Sequence, residues 1–283
     1  MILTKSTPAS AVNTNAEPPT PETFDYVTLG SQETGLHKAF NRTDLASEIA
    51  LGISYNGINQ AVMMASPGDL EDFVKGFSLN NGIVESLDQI HGMTISESGE
   101  SYQAEVELSS RALWALKQTR RQLAGTSGCG ICGVEAIEHA LPDLPPLTPK
   151  PLPKMSSLQG LRERIAQAQH GACKSGALHA ALQIDDDGNV NLCREDIGRH
   201  NALDKLTGAI FARNLSFAKG FVVVTSRCSL ELIQKAIRAQ IGTLVTLSAP
   251  TSLSVQWARQ HHLNLIHLPH HSAPRVYSPS PDR

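Results

Sequence analysis

Phe221-Val222-Val223-Val224-Thr225 is a short apolar run bounded by Gly220 and Ser226. Such runs are typical of strands buried on both faces of a parallel sheet. Working outward, Leu230 to Gln240 has helical spacing and Thr243 to Ser248 is a second run of the same kind. Ser252 to His261 is helical again, and Leu263 to Leu268 closes the alternation as a last strand. This strand–helix–strand–helix–strand order predicts an α/β sheet with right-handed crossovers.

The same pattern extends upstream. Leu158 to Gln169 has helical spacing, and Ala177 to Ile184 is apolar. The turn Asp185-Asp186-Asp187-Gly188-Asn189 leads into a strand from Val190 to Cys193, followed by a helix over about 201–212 with Ala202, Leu203, Leu206 and Ile210 on one face. Residues 141–154 contain six prolines and form a stiff connector. From Tyr26 to about Gln118 the character is mixed. Asn56-Gly57 is a hairpin signal between strands 49–55 and 58–64. Ser66 to Glu71 supplies an N-cap and early acids for a helix carrying Leu70, Phe73, Val74 and Phe77, which Asn80-Asn81-Gly82 ends. Tyr102 to Leu108 alternates as a strand, while Met63 and Met64 read as packing residues. Residues 1–24, rich in Pro, Thr, Ser and Asn, cannot bury enough apolar surface to order and read as a disordered tail. The expected organisation is a small α+β domain at 25–120 and an α/β domain at 121–283. No period of 20 to 50 residues indicates a repeat protein.

Bulk properties narrow the class. The 283 residues suffice for one or two domains, with 41% hydrophobic and 18% charged residues, as in ordinary globular chains. A net charge of −3 gives no reason to expect nucleic acid. No apolar run reaches bilayer length and no signal peptide is apparent, so a cytoplasmic location is expected, with no membrane partner. Five cysteines, an odd number, argue for free, catalytic or metal-bound thiols over a disulfide framework.

The chemistry concentrates at Gly125-Thr126-Ser127-Gly128-Cys129-Gly130-Ile131-Cys132-Gly133, where two cysteines are two residues apart and glycine fills four of nine positions. Glycine admits φ > 0 and close backbone approach to a ligand, so residues 125–133 read as a mobile loop. Val134, Ile137 and Ala140, with Glu135 and Glu138 between them, predict a helix just after Cys132, whose positive end lowers a thiol pKa. A dithiol redox pair would sit after the first strand of a small βαβ unit, which is not the context here. A zinc site would need two further ligands, from Cys173, Cys193, His170, His179 or His200, and these form no second CxxC. The zinc deaminase signature is not met: no Pro precedes Cys129, and His179-Ala180-Ala181 lacks the acid. A nucleophilic or sulfur-carrying thiol suits the surroundings best. Taken singly, Cys173, Cys193 and Cys228 read as small buried hydrophobes. His179 reads equally as a satisfied core residue or a site residue.

Arg194-Glu195-Asp196-Ile197-Gly198-Arg199-His200-Asn201-Ala202-Leu203-Asp204-Lys205 is the densest polar stretch and lies where a strand gives way to a helix. Ligands of open α/β sheets bind at the carboxyl ends of strands, and a helix N-terminus with Arg199 and Lys205 nearby suits a phosphate. The plain alternative is a capped, salt-bridged junction. Ser226-Arg227-Cys228-Ser229 and Ala249-Pro250-Thr251-Ser252 occupy the same topological position after the next two strands. Residues 268–275 follow the last strand, as a ligand loop or a tail.

Gly128 to Gly133, Ser175-Gly176-Ala177-Leu178-His179-Ala180-Ala181, Glu195 to Lys205 and Ser248-Ala249-Pro250-Thr251-Ser252 occur in that order. Together they resemble the formate dehydrogenase accessory sulfurtransferases, the FdhD family, over roughly residues 45–277. Met64 to Glu71 and Gly76 to Leu79 fit as well. The resemblance implies a cytidine-deaminase-like three-layer α/β domain preceded by a smaller α+β domain, usually as a homodimer. It also implies that sulfur is accepted from a cysteine desulfurase as a persulfide. That sulfur then passes to the molybdenum cofactor, bis-molybdopterin guanine dinucleotide, before formate dehydrogenase receives the cofactor. Carried onto this chain, Cys129 is the persulfide carrier and Cys132 an auxiliary thiol. The cofactor contact falls on Leu268, Pro269, His270, His271, Ser272 and Ala273, and no permanently bound metal is expected. Two classes stand at this point: a sulfurtransferase, or a cofactor-binding chaperone whose CxxC is structural or binds zinc.

Overall fold

The computed structural model describes residues 22–27, 40–99, 101–124 and 141–280. β1 (Glu22–Val27) and β2 (Phe40–Leu45) form an antiparallel pair. The tail expected through residue 24 therefore gives way to strand at Glu22. β3 (Ile49–Tyr55) and β4 (Ile58–Ala65) form the expected hairpin, with Asn56 and Gly57 at φ 47 and 75, the left-handed pair that a tight two-residue turn needs. α1 (Leu70–Asn80) buries Leu70, Phe73, Val74 and Phe77, matching the sequence. Its N-cap falls within the expected stretch, at Asp69, which makes no side-chain capping bond; Glu71 and Asp72 lie in the first turn, and the Ser66 hydroxyl accepts from the Ile197 N–H. β5 (Ile90–Ser98), β6 (Ser101–Leu108) and α2 (Ser110–Ala124) complete a four-stranded sheet of order β4-β3-β6-β5 with its own apolar core.

The proline-rich stretch 141–154 carries no helix or strand and runs along one edge of the second sheet. The Leu147 N–H donates to the His261 carbonyl, Lys150 Nζ to the Phe217 and Ala218 carbonyls, and Asn264 Nδ2 to the Lys150 carbonyl. Then come α3 (Met155–Leu158), α4 (Leu161–Ala168), α5 (His170–Ser175), β7 (His179–Ile184), β8 (Val190–Asp196) and α6 (Arg199–Ala212). β9 (Phe221–Val224), α7 (Leu230–Arg238), β10 (Thr243–Thr246), α8 (Ser252–Gln260), β11 (Asn264–His267) and β12 (Arg275–Ser278) follow. The six strands lie in the order β12-β11-β10-β9-β7-β8.

β9, β10 and β11 are mutually parallel and buried throughout, as their apolar runs predict. Successive side chains alternate between faces: Val222, Val224, Leu244 and Leu265 pack with α6, α7 and α8. Phe221, Val223, Val245 and Ile266 pack with Leu161 and Ile165 of α4 on the other side. The result is three layers, helix–sheet–helix. The sheet is mixed, however, since β7 runs antiparallel to both β8 and β9, and β12 is antiparallel to β11. The last strand is thus β12, and residues 268–274 join two strands instead of forming a tail.

The two sheet units meet where α1 crosses α6. A Cβ on Gly76 would lie 1.8 Å from the Asp204 carbonyl oxygen, and one on Gly208 would lie 1.9 Å from that of Asp72. Only glycine lets these two backbones approach so closely.

Candidate functional site

Strand direction decides where the polar turns go. β8 and β9 both oppose β7, so β8 runs with β9, β10 and β11. The carboxyl ends of all four strands, and hence the turns at 197–200, 225–229, 247–251 and 268–274, emerge at one edge. Register fixes the row beneath them: Arg194, Ala181, Val224, Thr246, His267 and Arg275 are successive partners across the sheet. The convergence read from the sequence is present.

Within the Glu195–Lys205 stretch the side chains divide by function. Asp196 and Lys205 form an ion pair at 2.7 Å with both side chains fully buried. Asp196 also accepts from the Ser66 and Gly198 N–H groups and from Asn201 Nδ2, which donates onward to the Met64 carbonyl. Glu195 accepts from the Gly171 and Ala172 N–H groups at the start of α5. Asp204 pairs with Lys235 at 2.9 Å and accepts from Asn80. Burial raises the Asp204 pKa, with Lys235 working against it. Asp196, Asn201, Asp204 and Lys205 bind the two sheet units together, while Glu195 anchors the start of α5, so Lys205 is a structural residue and not a phosphate ligand, a correction to the sequence reading. Its charge is already taken.

Arg199 and His200, at the uncapped start of α6, belong instead to the edge. His200 Nε2 lies 3.3 Å from Ser229 Oγ, and Nδ1 lies 3.1 Å from Glu231 Oε2. Burial, then Arg199, Lys235 and His179, depresses the His200 pKa to about 4. At neutral pH the imidazole is uncharged, donating from Nδ1 to Glu231 and accepting from the Ser229 hydroxyl. Ser229 was marked in the sequence only as part of the 226–229 turn and Glu231 was not singled out, because only the fold brings the start of α7 against the start of α6. His179 is half-buried at the head of β7, and its pKa is lowered by burial and by Arg199. It belongs to this edge.

Leu268 is buried in the sheet's second apolar cluster, with its N–H bonded to the Thr246 carbonyl. Of the expected cofactor segment, Pro269 to Ala273 reach the surface. The His270 and His271 rings lie 5.4 Å apart, and Arg275 Nη2 donates to Ser272 Oγ at 3.4 Å.

Cys129 and Cys132, with the whole 125–133 loop and the helix expected after it, lie outside the described residues. Cys173 is exposed, contrary to the buried reading. Cys193 is half-buried and Cys228 buried, and burial pushes both thiols up to about 12. Neither is a thiolate at neutral pH. Among the described residues no three His, Cys, Asp or Glu side chains are grouped to hold a metal, and no helix is long and apolar enough to cross a membrane. A groove of about 830 Å³ opens on the outer side of β8, between Lys174, Cys193, Glu195, Ser66 and Asp69. It does not include the converging turns.

A family model described as FdhD/NarQ matches residues 46–283. The chain belongs to that family. Its FdhD/NarQ relatives include proteins named sulfur carrier protein FdhD from Bordetella petrii, 41% identical over 86% of this chain and 88% of the relative, and from Cupriavidus necator, 38% identical over 93% and 90%. A crystal structure from Desulfotalea psychrophila, described as a candidate formate dehydrogenase accessory protein, superposes with a TM-score of 0.68 at 20% identity over 92% of this chain and 97% of that one. That match speaks for the fold alone.

Proposed function

We propose that this FdhD/NarQ chain is a sulfur carrier that takes sulfur from a cysteine desulfurase as a persulfide on Cys129. It passes that sulfur to the molybdenum cofactor, bis-molybdopterin guanine dinucleotide, for formate dehydrogenase. The Cys129 thiolate attacks the outer sulfur of the donor's persulfide; a new S–S bond forms, the donor's breaks, and the donor cysteine leaves as thiolate. On delivery an electron pair of the acceptor attacks the outer sulfur, so that the acceptor–sulfur bond forms as the Cys129 S–S bond breaks, with that bond's pair returning to Sγ and the acceptor supplying the two electrons. Cys129 stands between glycines in a segment that the sequence reads as a loop before a helix, and such a thiol suits this chemistry, because the carrier must be a reachable thiolate for two partners in turn.

One observation carries the cofactor half of the reading: four turns meet at one sheet edge whose side chains are mainly hydrogen-bond donors or cations. Arg199, Arg227, His270 and His271 lie in them and Arg275 opens β12 just beyond, while of the acids there Asp196 pairs with Lys205 and Glu231 faces His200 and Lys235. An anionic dinucleotide fits such a donor set. Its contacts are assigned to Pro269 to Ala273 together with the Arg199 and Arg227 turns, and Leu268 supports them from beneath. The names of the relatives, sulfur carrier proteins at about 40% identity, support the carrier role.

Calorimetry with guanosine diphosphate, the nucleotide half of the cofactor, tests the site. Replacing residues 269–273 with Gly/Ser should abolish measurable binding while unfolding stays cooperative, as expected for an edit outside the core. Unchanged affinity would remove the segment from the site.

A further inference from the structure

Arg162 stands on α4, on the sheet face opposite α6, α7 and α8, so it approaches the edge from beneath. One of its nitrogens, Nη2, donates to the Leu247 carbonyl at 3.0 Å and also to the Leu268 carbonyl. These residues immediately follow β10 and β11, and each opens one of the converging turns. Nη2 carries two hydrogens, one for each carbonyl, so a single nitrogen ties the two turns to each other. Both acceptors are neutral, and among the described residues Nε is buried without a hydrogen-bond partner and the guanidinium enters no ion pair, with Glu163 the one acid acting on it from nearby. The neighbouring His267 is depressed by burial and by two cations, Arg275 and Arg162 itself, which marks this end of the edge as electropositive.

We propose that Arg162 is a positioning residue for the anionic ligand of this edge: it fixes the 247–251 and 268–274 turns relative to each other and places a guanidinium under them. The assignment rests on the dinucleotide reading above. A guanidinium can do both tasks at once, because its donors lie in a fixed plane while its charge stays delocalised and, among the described residues, outside any ion pair. Nothing in the spacing of Leu161 to Ala168 marks Arg162 out; it is one polar residue on an amphipathic helix until the fold brings the two carbonyls to it.

The test is calorimetric titration of the full chain with guanosine diphosphate at several salt concentrations. Wild type, Arg162→Met and Arg162→Lys are compared, with Arg162→Gln added in case the Met variant does not fold. The Met or Gln variant should bind about tenfold or more weakly, the size expected for losing a charged hydrogen-bonding group. Its affinity should also depend less on salt, and Lys should recover most of the loss. A lowered unfolding midpoint with wild-type affinity and salt dependence would reduce Arg162 to scaffolding and overturn the assignment. Failure of the wild type itself to bind would sink the dinucleotide reading, and this inference with it. Binding by wild type with unchanged affinity in both the Met and Gln variants would sink this inference alone.

Discussion

Lys205→Met is the perturbation that best separates a structural from a ligand-binding reading of the Glu195–Lys205 stretch. Lys205 and Asp196 lie 2.7 Å apart with neither side chain exposed. At that distance an effective dielectric of about 20 gives an attraction of roughly 6 kcal/mol, much of which offsets the desolvation of two ions. Removing one partner of a buried pair typically costs about 3–5 kcal/mol, since the other charge is stranded. Here the carboxylate keeps three donors, the Ser66 and Gly198 N–H groups and Asn201 Nδ2. The loss should therefore sit at the low end, about 3 kcal/mol. With an m-value of about 2 kcal/mol per molar in urea, the unfolding midpoint should fall by roughly 1.5 M. Far-UV circular dichroism against urea reads it, and Asp196→Asn combined with Lys205→Met should recover part of the loss because no lone charge remains. A Lys205→Met midpoint within about 0.5 M of wild type, together with selectively lost nucleotide affinity, would refute the reasoning and return Lys205 to the ligand.

Three further expectations follow from the same geometry. Gly208→Ala should lower the thermal midpoint through an overpacking cost of about 1–3 kcal/mol, because its Cβ would sit 1.9 Å from the Asp72 carbonyl oxygen; an unchanged melting curve would mean that the α1–α6 crossing is looser than drawn. His200, held near 4, takes up its proton in the unfolded chain at about 6.5 but not in the folded one, so it contributes a loss of stability as pH falls from about 6.5 towards 4. The ceiling is about 3 kcal/mol, and His200→Asn should flatten the pH dependence of the urea midpoint in that range; an identical slope in the variant would count against the buried neutral imidazole. Cys132→Ala should retain partial maturation of the client enzyme where Cys129→Ala retains none, and equal, complete loss in both would favour a disulfide or a zinc site.

The parallel strands were legible because double burial leaves an unbroken apolar run, as in Phe221 to Val224, and the Asn56-Gly57 hairpin because its turn demands left-handed residues. Strand direction was not. Nothing in the apolar stretch Ala177 to Ile184 says that β7 opposes β9, and the antiparallel β12, with its exposed Arg275 and Val276, has no burial pattern to announce it. Reading residues 197–200, 226–229 and 249–252 as turns after strands was enough to forecast their convergence. Dividing the Glu195–Lys205 stretch into buried and exposed halves was not possible from sequence, since Asp196, Asp204 and Lys205 are satisfied by Ser66, Asn80 and Lys235 from distant segments. The Ser229–His200–Glu231 contacts depend equally on two helix starts meeting in space.

Mass spectrometry of the purified protein after incubation with a cysteine desulfurase and cysteine tests the central claim most directly. The account predicts a mass gain of one sulfur atom that a reducing agent removes, that peptide mapping places on Cys129, and that Cys129→Ala lacks. Sulfur found on Cys173 or Cys193 instead, or a wild-type mass that does not change, would contradict it.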